Sequence, residues 1–165
     1  MHFRSMLTLL LCVLVVSSCR RLPNVQGTGE EFLQGVWNQD TIPNADKLLN
    51  YTTHKFRFTC DSFYVDLVTH SKVNYYADSC FNNGVWNEYA KGVYRVKNDS
   101  LFLGGTYTHE NYKQKITGCY HIGRFEKTFL IKSRQDSILS LIDAIDEKGF
   151  SLRLATKTTC VPKEL

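Results

Sequence analysis

The stretch THKFRFTCDSFYVDLVT, residues 53–69, decides the fold class. Its first half alternates without interruption: Phe56, Phe58 and Cys60 fall on one face, Lys55, Arg57 and Thr59 on the other. A period of two sends successive side chains to opposite faces of a pleated strand, so one face is apolar and the other wet. Asp61-Ser62 is a short polar turn, after which Phe63, Val65 and Leu67 repeat the alternation. Together the two runs predict an antiparallel hairpin.

The same signals recur outward from this hairpin. Residues 35–42 read as a first strand stopped by Pro43, and 44–50 as a brief helix capped by Asn44, with Leu48 and Leu49 turned inward. Residues 73–84, VNYYADSCFNNG, read as a longer loop. Residues 86–96 and 100–108 form a second hairpin across Lys97-Asn98-Asp99, and 114–125, 127–133, 137–143 and 150–157 read as further strands. Eight or nine antiparallel strands in one short domain predict an all-β fold, a small up-and-down barrel of about eight strands, because closure removes exposed edges. Phe56, Phe58, Leu101, Leu103, Leu139 and Leu141 are expected inside it. Large side chains at every level would leave a packed barrel; crowding at one end would leave a cup.

The chain opens with MHFRSMLTLLLCVLVVSSC. His2 and Arg4 precede an apolar run from Met6 to Val16, which as a helix rises only about 16 Å, half the hydrocarbon core. Val16-Ser17-Ser18-Cys19 has the small-residue pattern of a cleavage site. This arrangement resembles the bacterial lipoprotein signal, which implies cleavage after residue 18 and acylation of Cys19, and so a bilayer partner. Arg20, where an Asp would retain the protein at the inner membrane, implies by the same resemblance the outer membrane, facing the periplasm. The expected division is therefore 1–18 signal peptide, 19–34 lipidated cysteine and tether, and 35–165 barrel.

Four further cysteines, Cys60, Cys80, Cys119 and Cys160, suit two disulfides in an oxidising compartment. Three pairings are open; Cys60–Cys80 with Cys119–Cys160 is the expected one. No CxxC or CxxH pair occurs, and neither metal nor cofactor is expected. The formal net charge of +4 is mild and evenly spread, which argues against nucleic acid. No HExxH, GxSxG or GxxxxGK[ST] is present, so no catalytic residue is assigned and each histidine is read as satisfied or exposed. Aromatic side chains at Tyr75, Tyr76, Trp86, Tyr89, Tyr94 and Tyr107 are the candidate lining of a ligand pocket.

Gly35-Val36-Trp37 at the head of the first strand resembles the G-x-W signature of lipocalins. That resemblance implies an eight-stranded barrel closed at one end by Trp37, with Arg153 of the last strand packed on its ring. The T-D-Y motif and the long helix of standard lipocalins are missing, so the likeness is to a lipocalin-like barrel. FLQGVWNQD, FTCDSFYV, NYYADSCFNNGVWNEYAKGVY, NYKQKITGCY and TCVPKEL also resemble a family of small Gram-negative lipoproteins. Some members of that family carry the label fumarate hydratase, but the Gly-Ser-Ser-x-Met-Pro loop of the aspartase/fumarase type does not occur here. Three functions follow as expectations: a binding module for a small apolar or amphipathic molecule, a non-catalytic interaction protein with a packed barrel, and, least favoured, an enzyme.

Overall fold

A computed structural model describes residues 26–164. Eight strands run β1 Gly35–Gln39, β2 Asn50–Thr59, β3 Ser62–Ser71, β4 Val85–Lys97, β5 Ser100–Thr108, β6 Arg124–Arg134, β7 Ile138–Asp143 and β8 Gly149–Lys157. Each pairs antiparallel with the next, and β8 returns to β1, so the sheet is a closed up-and-down barrel. The hairpin read from residues 53–69 is present with Phe56 opposite Val65 and Phe58 opposite Phe63. Asn98 and Asp99 both adopt positive φ, 49° and 54°, the left-handed pair that a tight hairpin turn requires and that Asn and Asp tolerate.

The lower half of the barrel is solid. Trp37, Phe56, Phe58, Phe63, Phe129 and Leu101 are all at most 1 % exposed. Leu103, Leu139 and Leu141 are buried beside them. A 3-10 turn at Glu31–Leu33 plugs this base, and the Trp37 indole N–H donates to the Leu33 carbonyl at 2.7 Å. Gln34 is buried there and uses both ends of its amide: Oε1 accepts from the Cys60 N–H at 2.7 Å, and Nε2 donates to the Cys60 carbonyl at 2.9 Å. The Tyr94 hydroxyl donates to that same carbonyl at 2.7 Å and accepts the Glu30 N–H at 2.9 Å. The glycine of the G-x-W triplet has a steric cause. A Cβ on Gly35, at φ 145°, would lie 2.4 Å from the Thr156 carbonyl oxygen of β8, so only glycine permits the closing strands to meet.

Several expectations are corrected. The disulfides join Cys60 to Cys160 and Cys80 to Cys119, not Cys60 to Cys80 and Cys119 to Cys160. Cys60 lies at the base end of β3 and Cys80 beyond its other end, so a ten-residue strand of about 33 Å separates them. Arg153 does not cover Trp37. Register sets Leu154 against Trp37 and Arg153 against Asn38, which turns the guanidinium outward onto Asp40 at 3.1 Å. Leu48 and Leu49 are exposed, and only Ala45–Lys47 coils, as a 3-10 turn. Residues 114–123 form no strand; Gly118, Tyr120 and Gly123 have positive φ, which breaks extension, and β6 begins at Arg124. The 73–84 loop holds a short helix, α1, at Asp78–Phe81. The expected signal peptide and the expected lipidation site, Cys19, lie outside the described residues.

Candidate functional site

The two ends of the barrel differ in kind. Tight turns β2–β3, β4–β5 and β6–β7 close the base; the longer connections at 40–49, 72–84, 109–123 and 144–148 surround the other end, the mouth. Inward positions change character on the way up. Above Phe56 on β2 come His54 and Thr52; on β6 Lys127 lies between Phe125 and Phe129; on β7 Asp143 follows Leu139 and Leu141. On β4, Glu88 lies between Trp86 and Ala90.

One side of the mouth is built around His54. Its ring stacks on Phe150 at 4.9 Å, with Phe56 below at 5.7 Å and Phe129 edge-on at 6.5 Å. Gln39 Oε1 accepts both the His54 backbone N–H at 3.0 Å and Nδ1 at 2.7 Å. An oxygen that already accepts a backbone N–H is an acceptor, so Nδ1 carries the proton and Nε2 is left with a lone pair. Burial, then the Lys127 ammonium, lower the imidazole pKa to about 4 against the weaker opposing pull of Asp143 and Asp146. His54 is therefore neutral at pH 7. Lys127 donates to Asp143 at 2.9 Å, and the Asp143 side chain is only 10 % exposed while that of Lys127 is 37 % exposed. Burial works against the Asp143 carboxylate, but Lys127 and the N–H groups of Ile145 and Asp146 outweigh it and hold its pKa below the usual carboxylate range.

Across the mouth, a buried Glu88 accepts the His121 Nδ1–H at 2.8 Å, the His121 backbone N–H at 3.0 Å and the Trp86 indole N–H at 3.2 Å. Burial opposes this charge too, yet the contacts with His121 prevail and the Glu88 pKa is lowered, while its hydrogen bond raises that of His121. Tyr107 stacks on the His121 ring at 5.1 Å, and burial pushes its hydroxyl up to about 12. Trp86 stacks on Tyr120 at 5.0 Å, and Tyr76 packs edge-on to both. Cys80–Cys119 ties the 72–84 and 109–123 loops together beside this cluster.

No protein family, curated protein or solved structure matches the chain.

The six aromatic candidates are not brought together. Tyr76, Trp86 and Tyr107 meet at the mouth, but Tyr94 is fixed in the base network, Tyr89 lies on the outer wall near Tyr112, and Tyr75 is exposed. Gly35 and Trp37 lie at the base, and Arg153 outside it. The groups that matter most at the mouth, His54, Gln39, Lys127, Asp143, Glu88 and Phe150, were not singled out as a site. A signal existed: each titratable one occupies an inward position in an otherwise apolar alternation. Among the described residues no group of three or more His, Cys, Asp or Glu side chains is placed to hold a metal ion.

His54 carries a pH prediction. Its folded pKa lies below its unfolded value of about 6.5, so the unfolded chain takes up protons first and stability falls as pH drops from 6.5 towards 4. The loss attributable to this group between pH 7 and pH 4.5 should be about 2–3 kcal/mol. Urea unfolding at both pH values, compared with His54→Gln, should find that part of the pH dependence gone in the variant; an unchanged difference would remove His54 from the account.

Proposed function

We propose that this is a lipid-anchored protein of the bacterial envelope whose barrel mouth holds a small amphipathic molecule. The observation that carries the reading is the asymmetry of the interior: solid aromatic packing below, and inward-facing polar groups beside aromatic rings above. Burying polar and charged groups costs stability unless they are paired. Packing alone would have filled these positions with apolar residues, whereas a site for a molecule with a polar head and an apolar body uses both kinds of wall. The solid lower half confines such a molecule to the mouth.

Anchorage fits this arrangement. The described chain starts at the base, where the Gln26 N–H donates to the Lys163 carbonyl at 2.9 Å and its side chain to Ser62 Oγ at 2.7 Å. A lipid on Cys19, seven residues earlier, would hold the base within about 25 Å of the bilayer and leave the mouth facing away from it. The two disulfides suit an oxidising envelope compartment. Cys19→Ala should abolish both lipid labelling and membrane association in cells fed a clickable palmitate; labelling that persists would sink the anchor.

A second reading is a protein that acts through its outer wall. A groove of about 530 Å³ crosses β4–β6, lined by Val93, Phe102, Gly104, Thr128 and Ile145, and Val93 and Ile145 are well exposed. Photocrosslinking separates the two. A diazirine-bearing neutral amphiphile applied to membranes containing the full chain should label residues of the mouth, such as Phe150 and Tyr107. Labels confined to the outer groove, or none, would reject the mouth.

A further inference from the structure

We infer that the mouth selects an uncharged head group bearing a hydrogen-bond donor, a hydroxyl or an amide N–H, over a carboxylate. The inference rests on the mouth being a binding site and names the chemistry that site would take.

Most of the hydrogen-bonding capacity at the mouth is already spent within the protein. Lys127 is the cation that faces inward beside His54, and it is committed: its ammonium meets Asp143 Oδ2 at 2.9 Å. Asp143 is itself fixed, because Oδ1 accepts the Ile145 N–H at 2.9 Å. A ligand carboxylate would have to displace a carboxylate that is built in and almost fully buried. On the far side, the His121 Nδ1–H is already spent on the Glu88 carboxylate, which itself would repel an anion. The cation beside His54 is thus spent, and on the far side Lys115, which has no carboxylate partner among the described residues, is turned to the Cys119 carbonyl and the Tyr120 ring.

What is left is an acceptor. The His54 Nδ1–H is spent on Gln39, and Nε2 has no partner among the described residues. The ring stays neutral near pH 7, so Nε2 presents a lone pair, not a proton. An ionised carboxylate has only acceptors, and against Nε2 it would set lone pair to lone pair. An alcohol or amide supplies the missing donor, and its apolar chain can lie along Phe150 beside the imidazole. Covering that acceptor with a ligand that brings no donor costs enough to discriminate about tenfold or more between otherwise equal ligands.

The test uses two matched photoprobes on the full chain in its membrane at pH 7: a ten-carbon diazirine alcohol and the corresponding acid. The alcohol should label the mouth at least about tenfold more efficiently than the acid. Equal labelling, or more by the acid, would overturn the inference while leaving the mouth a binding site. Failure of both probes to label it would overturn the site as well. Two variants cross-check the cause. His54→Phe keeps the stacked ring and removes the acceptor, so alcohol labelling should fall to the level of the acid. Asp143→Asn frees the Lys127 charge, so acid labelling should rise; no change in either variant would contradict the assignment. Thermal melting of each variant separates lost binding from lost fold.

Discussion

Replacing Cys60 and Cys160 together by serine is expected to lower the unfolding free energy by about 4–5 kcal/mol, the loop-entropy value for a closure of this length. The bridge spans 100 residues, nearly the whole barrel from β2 to the tail beyond β8. It also joins a crowded structural point. The Cys60 carbonyl accepts from both Gln34 and Tyr94, and its N–H donates to Gln34, so the bridge ties the tail to the network that seals the base. Urea unfolding of the oxidised protein against the double variant measures the loss. A change below about 1 kcal/mol would mean that the hydrogen bonds hold the base without help from the bridge.

Trp37→Ala should cost about 3–5 kcal/mol, the range for deleting a large buried aromatic side chain. Trp37 is 1 % exposed, at the lock between β1, β2 and β8, facing Phe56 and Leu154 in register. The substitution removes that packing and also the indole N–H that satisfies the Leu33 carbonyl at 2.7 Å, so the plug at Glu31–Leu33 loses its tie to the barrel. Trp37→Phe keeps much of the ring volume without the donor and should recover most of the loss. Equal damage from both variants would show the hydrogen bond, not the packing, to be decisive.

The barrel was legible because alternation is a local property. Phe56, Phe58, Phe63 and Val65 announce their own hairpin, and the same period repeats through Leu101, Leu103, Leu139 and Leu141 to the closing strand. The disulfide pairing depends on which end of the barrel each loop occupies. That too was readable, since strands crossed one after another alternate ends and a ten-residue β3 keeps Cys60 and Cys80 apart. Arg153 shows a finer limit. Its register against β1 shifts at Val36/Trp37; without the shift Ala155 would oppose Trp37 and Arg153 would share that inner face, whereas the shift sets Leu154 against Trp37 and turns Arg153 outward.

The mouth was harder to read. Tyr76, Trp86 and Tyr107 were visible as aromatics, but the polar groups among them acquire meaning only when strands far apart in sequence meet. His54 and Phe150 stand 96 positions apart and stack face to face. His121 comes from a segment read as strand, and its contact with Glu88 exists because that segment folds back over the mouth, tied by Cys80–Cys119. Alternation gave the inward direction of His54, Lys127, Glu88 and Asp143; only closure of the barrel gave them neighbours.

The most direct test of a ligand held at the mouth is native mass spectrometry of the full chain purified gently from the cells that make it, compared with His54→Phe. A ligand-holding mouth predicts a co-purifying small molecule on the wild-type protein, beyond the mass of the chain and of any lipid attached to it, and its loss from the variant while the fold remains. Absence of any such molecule from the wild type, or its retention by the variant, would contradict a ligand held at the mouth.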